Sequence, residues 1–166
     1  MLLKILTVPN PILRQKAMEI EKKEICSENF RQFVFDMTET MKKSNGIGLA
    51  APQAGKSIQV ICIDSQELDI RGNIRKENYP NLEYNESLIF INPRITRKSL
   101  IKNVIEEGCL SIPGKTGNVK RSKKANVTFL NMEGKKLKLK ATGLLARVLQ
   151  HEIDHLNGIL FIDKMI

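Results

Sequence analysis

TGLLARVLQHEIDHLNG, residues 142–158, is the stretch on which the reading of the whole chain turns. Leu145, Val148, Leu149, Ile153 and Leu156 recur at the three-to-four spacing of an α-helix, with Thr142 where an N-cap belongs and Gly158 where a helix stops. So many apolar positions predict a largely buried helix. The same segment holds the chain's two histidines, His151 and His155, with Glu152 beside the first. Residues four apart share one helical face, so two imidazoles can meet one ion while the carboxylate projects toward a water bound to it. Two core histidines and a surface glutamate are the alternative, and the remainder of the sequence has to decide.

A catalytic metal site needs a third protein ligand and an open position. Phe161 stands where an extended H-E-x-x-H-x-x-G-x-x-H motif would place a third histidine, so that ligand has to come from upstream. Cys26 precedes a helix among charged residues, and Cys62 lies in the apolar run VICID, where a free cysteine behaves as a small hydrophobe. Cys109 differs. It lies in EEGCLSIPG, residues 106–114, where Gly108, Pro113 and Gly114 allow the backbone to bend close to an ion. Of the three thiols, Cys109 is the favoured ligand.

Outward from the helix, SENFRQFVFDMTETMKKSNG, residues 27–46, predicts a second amphipathic helix capped by Ser27, with Phe30, Phe33, Val34, Met37 and Met41 on one face and a stop at Asn45 and Gly46. NPILRQKA predicts a short helix with Asn10 as cap and Pro11 at its first position. Strands are predicted over SIQVICID, LIFINPRI and, on both sides of a turn near Glu133 and Gly134, KANVTFLNMEGKKLKLKA. In the last of these Leu137 and Leu139 alternate with Lys136, Lys138 and Lys140, a pattern that also protects an edge strand. The fold class is therefore α+β: mostly antiparallel β-sheets packed around a central C-terminal helix carrying HEIDH, with two further helices near the N-terminus.

At 166 residues the chain fits a single domain, 1–166, able to bury a core without disulfides or a metal. Three irregularly spaced cysteines and the absence of a long apolar start predict reduced thiols and a cytoplasmic location. No apolar run is long enough for a membrane span. The net charge of +9 points to an anionic partner, with a ribosome or other RNA as the obvious class. With no tryptophan and two tyrosines, stacking platforms are scarce, so no recognition of a specific nucleic-acid sequence is expected.

Three segments stand in order: GIGLAAPQ at 46–53, EEGCLSIP at 106–113 and QHEIDHLNG at 150–158. Together they closely resemble the signature motifs of the bacterial peptide deformylase family, hydrolases that remove the N-formyl group from the initiator methionine of nascent chains. The resemblance covers nearly the whole chain, including NPILR and the INP strand. It implies Cys109, His151 and His155 as ligands of one Fe2+, with Zn2+, Ni2+ or Co2+ as substitutes, although ligand chemistry alone would name zinc. It implies attack on the formyl carbon by a metal-bound hydroxide with Glu152 as general base and then acid, and an oxyanion held by the Gln53 side-chain amide and the Leu110 N–H. Gly46, Ile47, Gly48 and Leu49 would bind the peptide by strand-like hydrogen bonds. Ile47, Leu144, Leu145 and Val148 would line a methionine pocket, and Glu107 would help order the site.

The partners so implied are N-formylmethionyl nascent peptides and, transiently, the ribosome. The chain departs from the family in three places, one of them KTGNVKRSKK, residues 115–124, so side-chain preferences beyond methionine do not carry over. Residues 66–86 read as a charged, solvent-exposed insertion dispensable for chemistry. From Gly158 the sequence is GILFIDKMI, without the C-terminal helix that many relatives use for ribosome contact, so the positive charge is expected to serve instead. Two other readings compete: an HExxH metalloprotease, disfavoured by the cysteine ligand and the missing third histidine, and a ribosome- or RNA-associated protein with a structural metal site, which lacks a fourth ligand.

Overall fold

Residues 1–70 and 87–166 are described in this computed structural model. The helix-forming stretch near the N-terminus becomes α2, Glu28–Lys43, preceded by a single turn, α1, Lys22–Ile25. Ser27 caps α2 by accepting from the Phe30 N–H at 3.2 Å. Five strands then form an antiparallel sheet in the order β1 (Gly48–Ala50), β2 (Val60–Asp64), β3 (Ser87–Lys98), β6 (Lys124–Leu130), β7 (Lys136–Thr142). Strands β4 (Lys102–Gly108) and β5 (Thr116–Ser122) form a separate hairpin. The final helix, α4, is Gly143–Leu156, and it carries residues 151–155. The α+β class and its antiparallel sheets are borne out.

The period-two pattern of β6 and β7 fixes their register. Phe129 faces Leu137, Val127 faces Leu139 and Ala125 faces Ala141, which turns one apolar set inward and leaves Lys136, Lys138 and Lys140 exposed. As expected, β7 is an edge of the sheet. It runs directly into α4, because Gly143 takes φ 58, a left-handed conformation open to glycine. Thr142 holds the N-cap position, but its side chain makes no capping bond. In β3 the register slips between Ile91 and Arg94, where Asn92 adopts φ 48 and ties the strand to Ile20 by two side-chain bonds of 2.8 and 2.9 Å.

The two helices cover opposite faces of the sheet. Leu145, Leu149, Ile153 and Leu156 of α4 pack into a cluster with Ile61, Ile63, Phe90, Val127 and Phe129. On the other face Phe30, Phe33, Met37 and Met41 of α2 meet Leu49, Val60, Cys62 and Ile91. The first of these clusters makes α4 central, as its sequence implies, and it seats the histidines in the molecule's interior.

Three elements differ from the sequence expectation. The N-terminal NPILR forms only a 3-10 turn, Pro11–Arg14, with Asn10 capping it at 3.0 Å. The β4–β5 hairpin has no counterpart among the predicted strands, because KNVIEEG and TGNVKRS contain few apolar residues. The insertion read over 66–86 does not begin as a loop: α3, Ser65–Ile70, occupies its start, and Leu68 is buried in the α4 cluster, so that part of the segment is core. The remainder of that segment, with Gly72 and Asn73, lies outside the described residues.

Candidate active site

After β4 the backbone turns through Cys109, whose carbonyl accepts from the Ile112 N–H at 2.9 Å, and this turn lays the thiol against α4. Cys109 Sγ lies 3.2 Å from His155 Nε2, which lies 3.2 Å from His151 Nε2, and one donor atom from each of the three residues falls within 4.8 Å of the others. Ligands about 2.0–2.3 Å from a tetrahedral ion stand roughly 3.3–3.7 Å apart. The three lone-pair donors thus converge at nearly the spacing that one bound ion imposes, and they fit it.

The ring of His151 is oriented by Glu107, whose Oε2 lies 2.9 Å from His151 Nδ1. That contact leaves Nε2 for a metal. Glu107 is in turn gripped by Arg121, through Nε at 2.7 Å and Nη2 at 3.0 Å, and by Arg147. Arg121 also donates to Asp154 at 2.7 Å, and Lys164 holds the same carboxylate. Burial opposes the charge of Glu107, yet the bonds from His151 and Arg121 bring its pKa down to about 2. Burial likewise opposes a charge on His151, but Cys109, Glu107 and Glu152 together raise it to about 10. Burial, then the charges of His151 and Arg121, hold His155 well below the usual imidazole value.

Glu152 is 4% exposed, and burial raises its pKa to about 7 against the pull of His151 and Arg121. Its Oε2 has no hydrogen-bond partner among the described residues. Its place is made by Gly48: a Cβ there would stand 2.6 Å from Glu152 Oε1 and 3.0 Å from the two carbons behind it. Gln53 lies opposite. Its Oε1 accepts from the Ala50 N–H at 2.8 Å, which fixes the amide so that Nε2 points at Ser111 Oγ, 3.1 Å, and Cys109 Sγ, 3.4 Å. These groups sit in a cavity of about 650 Å³ between the β1 edge and the β4 end.

Comparison with known proteins decides what this arrangement belongs to. The sequence profile of polypeptide deformylase matches residues 2–166. The chain belongs to the polypeptide deformylase family. It is 43% identical to the peptide deformylase of Halothermothrix orenii, over 99% of this chain and 94% of that one. It superposes with a TM-score of 0.84 on the crystal structure of peptide deformylase from Thermotoga maritima, at 34% identity, 100% of this chain and 99% of that one. A class I type b peptide deformylase from Acinetobacter baumannii, solved with Met-Ala-Ser bound, matches with a TM-score of 0.86 at 33% identity over 99% of each chain. Peptide deformylases are metal-dependent hydrolases that release the formyl group of N-formylmethionine.

For a deformylase cavity, the residues singled out in the sequence fall into two groups. Gly46, Ile47, Gly48, Gln53, Glu107, Cys109, Leu110, Leu144, Val148, His151 and Glu152 line it, and His155 lies immediately behind. Leu49 and Leu145 do not: both are fully buried, Leu49 beneath α2 and Leu145 between α4 and the sheet. Alternation explains Leu49, since β1 turns successive side chains to opposite faces. Arg121, Arg147, Asp154 and Ser111 escape sequence reasoning. A cation at 147, one turn before His151 in the otherwise apolar first half of α4, is the one local signal that points to them.

Proposed function

We propose that this chain, as a single domain in the cytoplasm, removes the formyl group from the N-terminal formylmethionine of newly made polypeptides at a metal held by Cys109, His151 and His155. The convergence of those three donors beside the buried Glu152 carries the reading. Fe2+ is the ion assigned, and when bound it supplies a Lewis acid that lowers the pKa of a coordinated water.

The chain's own groups do the rest. Glu152 takes a proton from the attacking water and passes it to the amine leaving the formyl carbon, a role suited to a carboxyl whose Oε2 is left without a described partner. Gln53 Nε2 and the Leu110 N–H, which has no described partner of its own, donate to the formyl oxygen as negative charge develops. Glu107 holds His151 in the tautomer that ligates. Ile47, Leu144 and Val148 enclose the methionine side chain, and the segment Gly46–Leu49, which leads into the edge strand β1, meets the peptide backbone in strand fashion. The relative that binds Met-Ala-Ser supports a peptide in the corresponding place. The ribosome is the transient partner that would deliver such chains.

Formyl-Met-Ala-Ser is the test substrate. Release of formate with the tripeptide left intact is expected. Cleavage of the Met-Ala bond would move the chain to the metalloproteases, and no reaction from the metal-loaded protein would leave only a structural metal site.

A further inference from the structure

Helix α2 covers only part of its face of the sheet. It packs on β1 and β2, and Leu130 and Ile91, paired in register, mark the limit of its cluster. Beyond them the same face continues as two cross-strand rows, Arg94–Thr128–Lys138 and Arg97–Asn126–Lys140, flanked by Lys124 and Lys136. All six cations are exposed, and no described element lies over them. Strands β3, β6 and β7 together contain seven Lys and Arg and no Asp or Glu. Arg94 is paired with Glu19. Arg97, Lys124, Lys136, Lys138 and Lys140 form no ion pair with any described residue.

We propose that this uncovered half-sheet, carrying Arg97, Lys124, Lys136, Lys138 and Lys140, is a docking surface for the phosphate backbone of structured RNA. Alternate residues of a strand stand about 6.7 Å apart, and the cations of β3 and of β7 lie about 10 Å from each other across β6, so the surface meets a repeated negative charge and not a single carboxylate. In the middle of the rows, Thr128 and Asn126 add hydrogen-bonding groups. No aromatic side chain lies in the two rows, which suits phosphate recognition and not base stacking. A protein partner would want an apolar centre, and a lipid surface would want apolar side chains to insert; the rows offer neither. The position is also compatible with catalysis. The deformylase cavity is lined by α4 residues Leu144, Val148 and Glu152, and α4 covers the sheet face opposite these rows, so an RNA held here leaves it free.

The test is fluorescence anisotropy of a labelled RNA stem-loop titrated with the metal-loaded full chain over a series of salt concentrations. The parent is compared with the triple variant Arg97→Glu/Lys138→Glu/Lys140→Glu, with the same positions changed to Gln, and with Lys138→Arg/Lys140→Arg. Formate release from a short formyl-peptide, which involves none of these residues, reports that each variant is folded. Binding by the parent should weaken steeply with salt. The Glu and Gln variants should bind at least about ten-fold more weakly, with a salt slope lower by about 0.7–0.9 for each phosphate no longer neutralised, while the Arg variant keeps the parent's affinity and slope. Active Glu or Gln variants that bind RNA with the parent's affinity and slope would overturn the proposal. So would parent protein that ignores the RNA but binds phosphatidylserine vesicles or an acidic peptide through the same lysines.

Discussion

Replacing Gly48 by alanine should disable the enzyme while leaving its metal in place. The new Cβ would stand 2.6 Å from Glu152 Oε1 and 3.0 Å from both Cδ and Cγ. Carbon atoms in contact prefer about 3.5–4.0 Å, so the whole Glu152 side chain, and not its tip alone, has to retreat by about 0.5–1 Å. A displacement approaching 1 Å of a group that handles the reacting proton costs about a hundred-fold in rate, or about 2.7 kcal/mol of transition-state stabilisation. Position 48 has no positive φ, so alanine accepts the backbone, and β1 keeps its pairing with β2. The nearest neighbours of the added methyl are all atoms of Glu152, so Cys109, His151 and His155 are undisturbed. Formate release and metal content would be measured on one preparation. Full metal with activity within a few-fold of the parent would refute the reasoning, and so would loss of the metal itself.

Three further outcomes are expected. Glu107→Gln withdraws the charge on which His151, Arg121 and Arg147 converge; chelator competition should show metal held about 10–100-fold more weakly, and denaturant unfolding a loss near the lower end of about 3–5 kcal/mol, because Arg121 retains Asp154. The bond from Arg14 lowers the Asp163 pKa, so their pair stabilises the fold above the unfolded carboxylate value of about 3.9 and is lost as pH falls through the lower folded value; Asp163→Asn should flatten that acid limb, and an unchanged limb in pH-dependent melting would dismiss the pair as a contributor. Protein purified without oxygen should contain iron and be active, air should inactivate it through the iron or the Cys109 sulfur, and nickel or cobalt forms should survive air; an air-stable zinc form at least as fast as the iron form would remove the iron assignment.

The elements legible in the sequence are those whose own side chains state a period. Helices α2 and α4 announce themselves by apolar spacing and by Ser27 and Gly158, and the β6–β7 hairpin by its alternation of Leu and Lys. The β4–β5 hairpin is hidden because, Val119 apart, its strands bury polar and charged side chains instead of hydrocarbon. Glu107 and Arg121 face inward there, and the reason lies across space in Arg147 and His151 on α4. The same physics separates what is legible in the site. His151, Glu152 and His155 are neighbours along one helix, whereas Glu107, which orients His151, is 44 residues away, and its own partners Arg121 and Arg147 stand 14 and 40 residues from it, with the cation at 147 the one local sign. Leu145 resembles a pocket residue in a linear reading, and only the direction of its side chain assigns it to the core.

The central claim is that Cys109, His151 and His155 hold the metal and that Glu152 moves a proton without holding it. Metal analysis paired with formate release on Glu152→Ala and Cys109→Ala tests this most directly. Glu152→Ala should keep the parent's metal content and lose about 10²–10⁴-fold in rate, whereas Cys109→Ala should lose the metal itself. Metal depleted as far in the glutamate variant as in the cysteine variant, or a cysteine variant that retains its full complement, would contradict the account.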